Sequence, residues 1–149
     1  MQKVIAVVGP TASGKTALSV ALAEHFGGEI VSVDSMQIYD QMNIGTAKPS
    51  VEERRGIPHH LMGHISVENS YNVAMFKEDA LKVLEKLKKQ DRLPVLCGGT
   101  GLYLDHLIEN TEFFEIPIAE DVRQKYAVIA QINGVDALYA MLKEVNGIR

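Results

Sequence analysis

The sequence contains one cysteine, Cys97, and no tryptophan among its 149 residues. A lone cysteine excludes an internal disulfide, which is typical of a protein from a reducing compartment. No apolar run approaches the roughly 18 residues that a membrane-spanning helix needs. The first such run, residues 4–8, is also shorter than the apolar part of a secretory signal. These absences predict a cytoplasmic protein with no membrane association and no disulfide partner.

The sequence also lacks an excess of positive charge, because 15 Lys and Arg residues stand against 19 Asp and Glu residues. Residues 1–102 hold 11 of each sign, whereas residues 103–149 hold 4 basic and 8 acidic residues. A strongly basic nucleic-acid-binding arm is therefore excluded. What is present is a hydrophobic fraction of 46% and a charged fraction of 23%, which are typical of a folded globular domain.

Alternating apolar strands and amphipathic helices predict an α/β fold. Short apolar runs predict buried strands at residues 3–8, 29–33 and 93–97. Helical spacing of apolar residues predicts helices at residues 15–26, 73–90, 101–109, 120–132 and 135–145, and a capping box predicts a short one at 50–55. Such alternation is typical of a parallel sheet, whose ligands bind beyond the carboxyl ends of the strands.

Several local features of these elements can be compared with the structure. We expect Asn72 to cap the helix that follows it, and one apolar stripe to run from Val73 to Leu87. In the first helix the expected apolar side consists of Leu18, Ala21, Leu22 and Phe26. Residues 34–71 show no long periodicity and are predicted to be a functional loop region. Within that region the pair His59 and His60 is interpreted as loop structure, not as a metal site.

The segment GPTASGKT matches the phosphate-binding pattern G-x-x-x-x-G-K-[ST] between a predicted strand and a predicted helix. Glycine lets the backbone turn so that N–H groups converge on phosphate oxygens, and the start of the helix adds further N–H groups. Lys15 supplies a cation, and Thr16 supplies a hydroxyl for Mg²⁺, which prefers oxygen ligands. We expect a diphosphate or a nucleotide such as ATP to bind Gly9, Pro10, Thr11, Ala12, Ser13, Gly14, Lys15 and Thr16.

Two further residues follow predicted strands and should lie near this loop. Asp34 is interpreted either as a general base beside the diphosphate or as a helix cap or outer ligand of Mg²⁺. Thr100 stands among Gly98, Gly99 and Gly101, which predict either a close backbone approach to a ligand or a tight turn from strand to helix. In both cases the Thr100 hydroxyl is expected near the other strand ends.

Five segments together resemble the tRNA dimethylallyltransferase (tRNA isopentenyltransferase) family: GPTASGKT at 9–16, DSMQIY at 34–39, NIGTAKP at 43–49, GIPHHL at 56–61 and LCGGTGLY at 96–103. The resemblance implies a P-loop NTPase/kinase-like parallel sheet with flanking helices, followed by a helical segment. It implies a catalytic core with an incomplete sheet at residues 1–110, and the start of a tRNA-binding insertion at residues 111–149.

The resemblance also implies an activity, which is transfer of a dimethylallyl group from dimethylallyl diphosphate to N6 of the adenine 3′ to the tRNA anticodon. In this family the diphosphate occupies the phosphate loop with Mg²⁺. The implied catalytic residues are Asp34, which accepts the amine proton, Thr100 and Lys15. The implied tRNA contacts are Asp34, Ser35, Met36, Gln37, Thr100 and Arg123.

Members of that family are longer than this chain, so the resemblance implies a truncated protein or a fragment with low activity by itself. The first strand would then be an apolar edge that promotes aggregation or pairing with another chain. Two other hypotheses stay open at this point. One is a small-molecule or nucleotide kinase, which would need an arginine-bearing lid, and the other is a phosphate-binding protein without catalysis.

Overall fold

A computed structural model describes residues 3–109 and 120–146 of the chain. Its strands are β1 (Ile5–Val8), β2 (Glu29–Val33), β3 (His59–His60) and β4 (Pro94–Gly98). Its helices are α1 (Lys15–Phe26), α2 (Val51–Arg54), α3 (Val73–Lys89), α4 (Gly101–Ile108), α5 (Glu120–Asn133) and α6 (Val135–Asn146). The chain divides into two units, Met1–Glu112 and Phe113–Arg149.

The strands of the first unit form one parallel sheet in the order β1-β4-β2-β3. The three strands predicted from the sequence are confirmed to within two residues at each end. Because all strands run in the same direction, the segments after β1, β2 and β4 emerge at one edge of the sheet. Among the described residues, β1 has a neighbour on one side only, as the sequence analysis expects.

The interpretation of His59 and His60 as loop structure is wrong, because these residues form β3. They pair in parallel register with Ile30 and Val31 of β2. His60 Nε2 lies 2.6 Å from a carboxylate oxygen of Glu29, which fixes the new strand to the beginning of β2. A two-residue strand is created by its hydrogen-bonding partner, so no periodicity within it could predict it.

Each face of the sheet carries its own apolar cluster. On one face, Val20 and Ala23 of α1 pack with residues of β1, β2 and β4. On the other face, Phe76 of α3 stacks on Tyr103 of α4 with ring centroids 4.3 Å apart. Residues predicted to form the stripe of α3 belong to this second cluster, and the predicted Asn72 cap accepts from the Met75 N–H at 3.0 Å.

The apolar side predicted for α1 is not the side that is buried. Leu18 and Phe26 are 53% and 54% exposed, whereas Ser19, Val20 and Ala23 are buried. Apolar residues surround this helix on all sides, so their spacing does not select one face. Contact with the sheet therefore decides which side is buried.

The segment between β2 and α3 contains secondary structure of its own. Its predicted short helix is confirmed as α2, with both hydrogen bonds of the Ser50–Glu53 capping box present. Ile38 is 1% exposed, and Tyr39 forms an isolated parallel bridge with Ile65. This segment therefore forms a fixed structure after the carboxyl end of β2.

The second unit contains α5 and α6, which are joined at Gly134 with a φ of 82°. Glycine adopts this left-handed conformation without strain. Among the described residues of the whole chain, no helix has the length and apolar character needed to cross a membrane.

Candidate functional site

The segment between β1 and α1 forms a curved phosphate-loop structure. Ala12 and Gly14 both have positive φ, of 64° and 84°, which turns the backbone back on itself. Ser13 Oγ donates to the Pro10 carbonyl at 2.8 Å, and Lys15 Nζ donates to the same oxygen. Gly14 is the residue before α1, and no side chain caps this end of the helix. The first N–H groups of α1 are therefore not occupied by a capping side chain.

This loop forms one wall of a cavity of about 540 Å³. Asp34 and Gln37, which follow β2, line the same cavity. The structure therefore brings together the loop and Asp34, as the sequence predicts. The remaining residues that line the cavity are Ala17, Thr46, Ala47, Glu53, Arg55, Cys97 and Gly98.

The Asp34 carboxylate is held by the turn that follows it. Its Oδ1 accepts from the Met36 N–H at 2.9 Å and from the Gln37 N–H at 3.1 Å. Within the part of the chain that the structure describes, no group donates to Oδ2. Oδ1 thus has the capping role that one interpretation gives to Asp34, and Oδ2 is available for the proton transfer that the general-base interpretation requires.

Thr100 joins the ends of β2 and β4. Its Oγ1 accepts from the Ser35 N–H at 3.0 Å and donates to Ser35 Oγ at 3.3 Å. Thr100 lines a second cavity of about 330 Å³, together with Gly9 and Pro10 on the other side of the phosphate loop. Asp34 and Thr100 therefore line two different cavities, and Thr100 is hydrogen-bonded to Ser35, the residue that follows Asp34.

The glycines around Thr100 serve backbone packing at the strand ends. A Cβ on Gly98 would overlap the Val33 carbonyl, and one on Gly99 would lie 3.3 Å from the Gly9 carbonyl oxygen. A Cβ on Gly101 would meet no atom within 4 Å. Close approach to the backbone of Val33 and Gly9 thus accounts for Gly98 and Gly99 without a ligand.

The Gln37 side chain holds the segment that contains Thr46 and Ala47 in place. Gln37 Nε2 donates to the carbonyls of Thr46 and Ala47 at 3.0 and 3.3 Å. Lys48 Nζ donates to the Tyr39 carbonyl, and burial together with nearby Arg54 lowers the pKa of Lys48. Gln37 thus positions the wall of the cavity, whereas Met36, at 46% exposure, presents an apolar side chain to the surface.

Arg55, which no sequence pattern indicated, adds a second cation to the cavity. Arg55 ends α2 with a positive φ of 51°, and its Nη1 lies 3.1 Å from Glu24 Oε2. Neither its neighbours nor its spacing indicates this position, since it depends on how α2 packs beside α1. Arg123, predicted to contact tRNA, is exposed on α5 of the second unit.

The predicted metal ligand Thr16 is half-buried and lines the larger cavity. Residues 3–109 and 120–146 contain no group of three or more His, Cys, Asp or Glu side chains arranged to hold a metal ion.

A family model described as IPP transferase matches residues 37–148. The chain belongs to the IPP transferase family. It is 43% identical over 145 residues to the tRNA dimethylallyltransferase of Alkaliphilus metalliredigens, and 44% identical over 146 residues to that of Acetivibrio thermocellus. These matches cover 97% and 98% of this chain but 46% and 47% of the relatives. The chain thus spans about half the length of the curated relatives it matches.

Solved structures agree with this membership. The full-length tRNA isopentenylpyrophosphate transferase of Bacillus halodurans superposes with a TM-score of 0.76 at 40% identity, covering 99% of this chain and 49% of that protein. A eukaryotic dimethylallyltransferase solved acting on tRNA gives a TM-score of 0.77 at 32% identity, covering 97% and 36%. The family and the P-loop-like fold expected from the sequence motifs are confirmed.

Proposed function

We propose that this chain supplies the donor-binding and catalytic part of a tRNA dimethylallyltransferase. The activity is transfer of a dimethylallyl group from dimethylallyl diphosphate to N6 of the adenine 3′ to the anticodon. The observation that carries the proposal is that the phosphate loop and Asp34 line one cavity. The names of the relatives support this substrate pair over a kinase reaction.

In this proposal the diphosphate of the donor binds residues 9–16, with Lys15 as the side-chain cation. Thr16 would hold Mg²⁺ through its hydroxyl, and the oxygen donors available in the cavity fit that ion. When bound, Mg²⁺ would supply positive charge that stabilises the departing diphosphate. The loop N–H groups and Lys15 stabilise the same charge from the protein side.

The adenine amine attacks C1 of the dimethylallyl group, so that an N–C bond forms as the C–O bond to the diphosphate breaks. The amine becomes acidic only as that bond forms, and its proton passes to Oδ2 of Asp34. The two N–H donors on Oδ1 keep the carboxylate oriented for this step. A base paired or stacked in RNA must first be flipped out to reach such a pocket.

The proposed tRNA contacts are Asp34, Ser35, Met36, Gln37, Thr100 and Arg123. Met36 is exposed beside the cavity, and Thr100 is fixed to Ser35 by two hydrogen bonds. For Gln37 the free group is the side-chain oxygen, because the amide nitrogen donates to Thr46 and Ala47. Residues 111–149 are proposed to begin the tRNA-binding insertion.

The test compares the chain alone with a chimera that joins it to the half of the Bacillus halodurans protein that it does not cover. Each is incubated with Mg²⁺, labelled dimethylallyl diphosphate and an anticodon stem-loop, and ATP replaces the donor in a parallel series. We expect label in the RNA with the chimera, and little with the chain alone. Phosphoryl transfer from ATP without prenyl transfer would support the kinase, and diphosphate binding by an inactive chimera would support a non-catalytic protein.

A further inference from the structure

Arg55 lines the phosphate cavity, but its side chain is paired with a residue at the other end of α1. Arg55 Nη1 lies 3.1 Å from Glu24 Oε2, and the two side chains are 60% and 37% exposed. Glu24 stands near the end of α1 and lines a different cavity, of about 520 Å³. The ion pair therefore draws the guanidinium toward the end of α1 that lies away from the phosphate loop.

The charged side chains that line the phosphate cavity cancel each other. Among the described residues around it, the side-chain cations are Lys15 and Arg55, and the carboxylates are Asp34 and Glu53. A diphosphate carries several negative charges, which need positive partners when they leave water. Lys15 belongs to the loop itself, so Arg55 is the side-chain cation for the part of a diphosphate that extends beyond the loop.

The strengths of the two interactions favour an exchange of Glu24 for phosphate. An exposed ion pair contributes little free energy, because water solvates both groups and both side chains lose freedom. Arginine binds phosphate through two parallel N–H···O bonds, which are shorter and stronger than ordinary hydrogen bonds. The guanidinium therefore loses little when it leaves Glu24, and the exposed Glu24 carboxylate remains solvated.

The backbone at position 55 also indicates a role for its side chain. Arg55 has a left-handed φ of 51°, and Gly56 follows with a φ of 76°. Residues with a side chain rarely adopt such angles, and glycine is the residue that commonly takes them after a helix. Arginine is therefore less favourable for folding here than glycine, whereas the arginine supplies a cation to the cavity.

We propose that Arg55 is a specificity-determining residue that exchanges Glu24 for a phosphate group of the donor. The phosphate loop binds one phosphate group and Arg55 binds the other, so that the site prefers a diphosphate to a single phosphate. Glu24 acts as an internal competitor that lowers the affinity for the diphosphate. This inference rests on the proposed diphosphate site, and it states how that site selects its ligand.

The test is calorimetric titration with Mg²⁺ and pyrophosphate, with orthophosphate measured by its competition against pyrophosphate. E24Q should bind pyrophosphate up to about fivefold more tightly, which corresponds to the loss of one exposed ion pair. R55A should bind pyrophosphate about fivefold more weakly and should change orthophosphate binding less than about twofold. In the double variant E24Q/R55A, the E24Q change should have no effect, since no guanidinium is left for Glu24 to hold.

The exposed ion pair between Lys89 and Glu85 on α3 provides matched controls. E85Q and K89A change the net charge as E24Q and R55A do, and they should leave both affinities unchanged. R55G separates binding from folding, because glycine adopts a positive φ without strain. It should unfold at the temperature of the parent chain or above, and it should weaken pyrophosphate binding as R55A does.

Three results would overturn the inference while the proposed function stands. They are unchanged pyrophosphate affinity in R55A and R55G, equal losses for pyrophosphate and orthophosphate, and an E24Q effect that is absent in the parent chain or persists without Arg55. A folded parent chain that fails to bind pyrophosphate is a different result. It would refute the proposed diphosphate site, and the inference would fall with it.

Discussion

Lys15 and Arg55 bring positive charge to the same cavity in different ways. Lys15 is half-buried and donates to the Pro10 carbonyl inside the phosphate loop. Arg55 is exposed and already lies 3.1 Å from the Glu24 carboxylate. An exposed ion pair contributes little free energy, whereas a hydrogen bond to a charged group in a shielded site contributes more. The loop lysine should therefore dominate anion binding.

We expect K15A to weaken pyrophosphate binding about 10- to 100-fold, the effect of losing one charged hydrogen bond of about 1.5–3 kcal/mol. R55A is the matched control. It should weaken binding by a smaller factor, because the Arg55 guanidinium is already paired with the Glu24 carboxylate. Isothermal titration calorimetry with Mg²⁺ and pyrophosphate measures both. Equal losses in the two variants, or full affinity in K15A, would contradict the assignment of Lys15.

For Asp34, the informative change is D34N rather than D34A. Asparagine keeps an oxygen that can accept from the Met36 and Gln37 N–H groups but removes the proton acceptor. In the chimera we expect prenyl transfer to fall about 10²–10⁴-fold, the usual effect of removing a positioned base. Binding of the donor should not change. A near-normal transfer rate in D34N would remove Asp34 from the proposed proton transfer.

At the scale of elements, β3 links stability to pH. The His59 Nδ1 lies 2.8 Å from the Ile57 carbonyl oxygen, at the start of this short strand. Burial lowers the pKa of His59 below its ordinary value of 6.5, and nearby Arg54 and His60 lower it further. The folded chain therefore favours the neutral imidazole, which can donate to Ile57 from Nδ1.

The direction of the pH effect follows from linkage. Above about pH 6.5 His59 is neutral in both states, so its contribution to folding is complete. As the pH falls below 6.5, the unfolded chain takes up the proton before the folded chain does, and the free energy of unfolding decreases. Urea unfolding between pH 8 and pH 5 should show a smaller decrease for H59Q than for the parent chain. Identical decreases would contradict the role of His59.

At the scale of the whole molecule, the unpaired edge of β1 is the feature that most favours association between chains. Val8 is 56% exposed and Ala6 is also exposed, so one face of this strand is uncovered in the described part of the chain. An apolar strand with unpaired N–H and C=O groups is a template for another chain. We therefore predict that the 149-residue chain is marginally stable and that it associates or aggregates in solution.

A charge on β1 should suppress that association. We expect A6K to lower the associated fraction in sedimentation experiments over a range of concentrations, because a lysine on an edge strand opposes pairing with a second strand. A21K, at an exposed position of α1, is the matched control and should leave association unchanged. If A6K and A21K change the associated fraction equally, or if the parent chain is a stable monomer, the edge of β1 does not cause association.

Local sequence determined most of the elements of this protein and the position of its phosphate loop. That loop acts through the backbone geometry and chemistry of eight consecutive residues, which include its glycines, Lys15 and Thr16. Its pattern can therefore be recognised from the sequence alone. The strands, the α3 stripe and the caps at Ser50 and Asn72 also depend on neighbours in sequence.

Only the tertiary structure decided which distant groups meet. β3 exists because β2 offers it a partner, and the sheet buries Ser19, Val20 and Ala23 of an α1 helix whose sequence marks no single face. Arg55 and Cys97 reach the phosphate cavity because α2 and β4 pack beside the loop. Contacts between residues far apart in sequence leave no periodic pattern in either segment, and for that reason the sequence alone did not determine them.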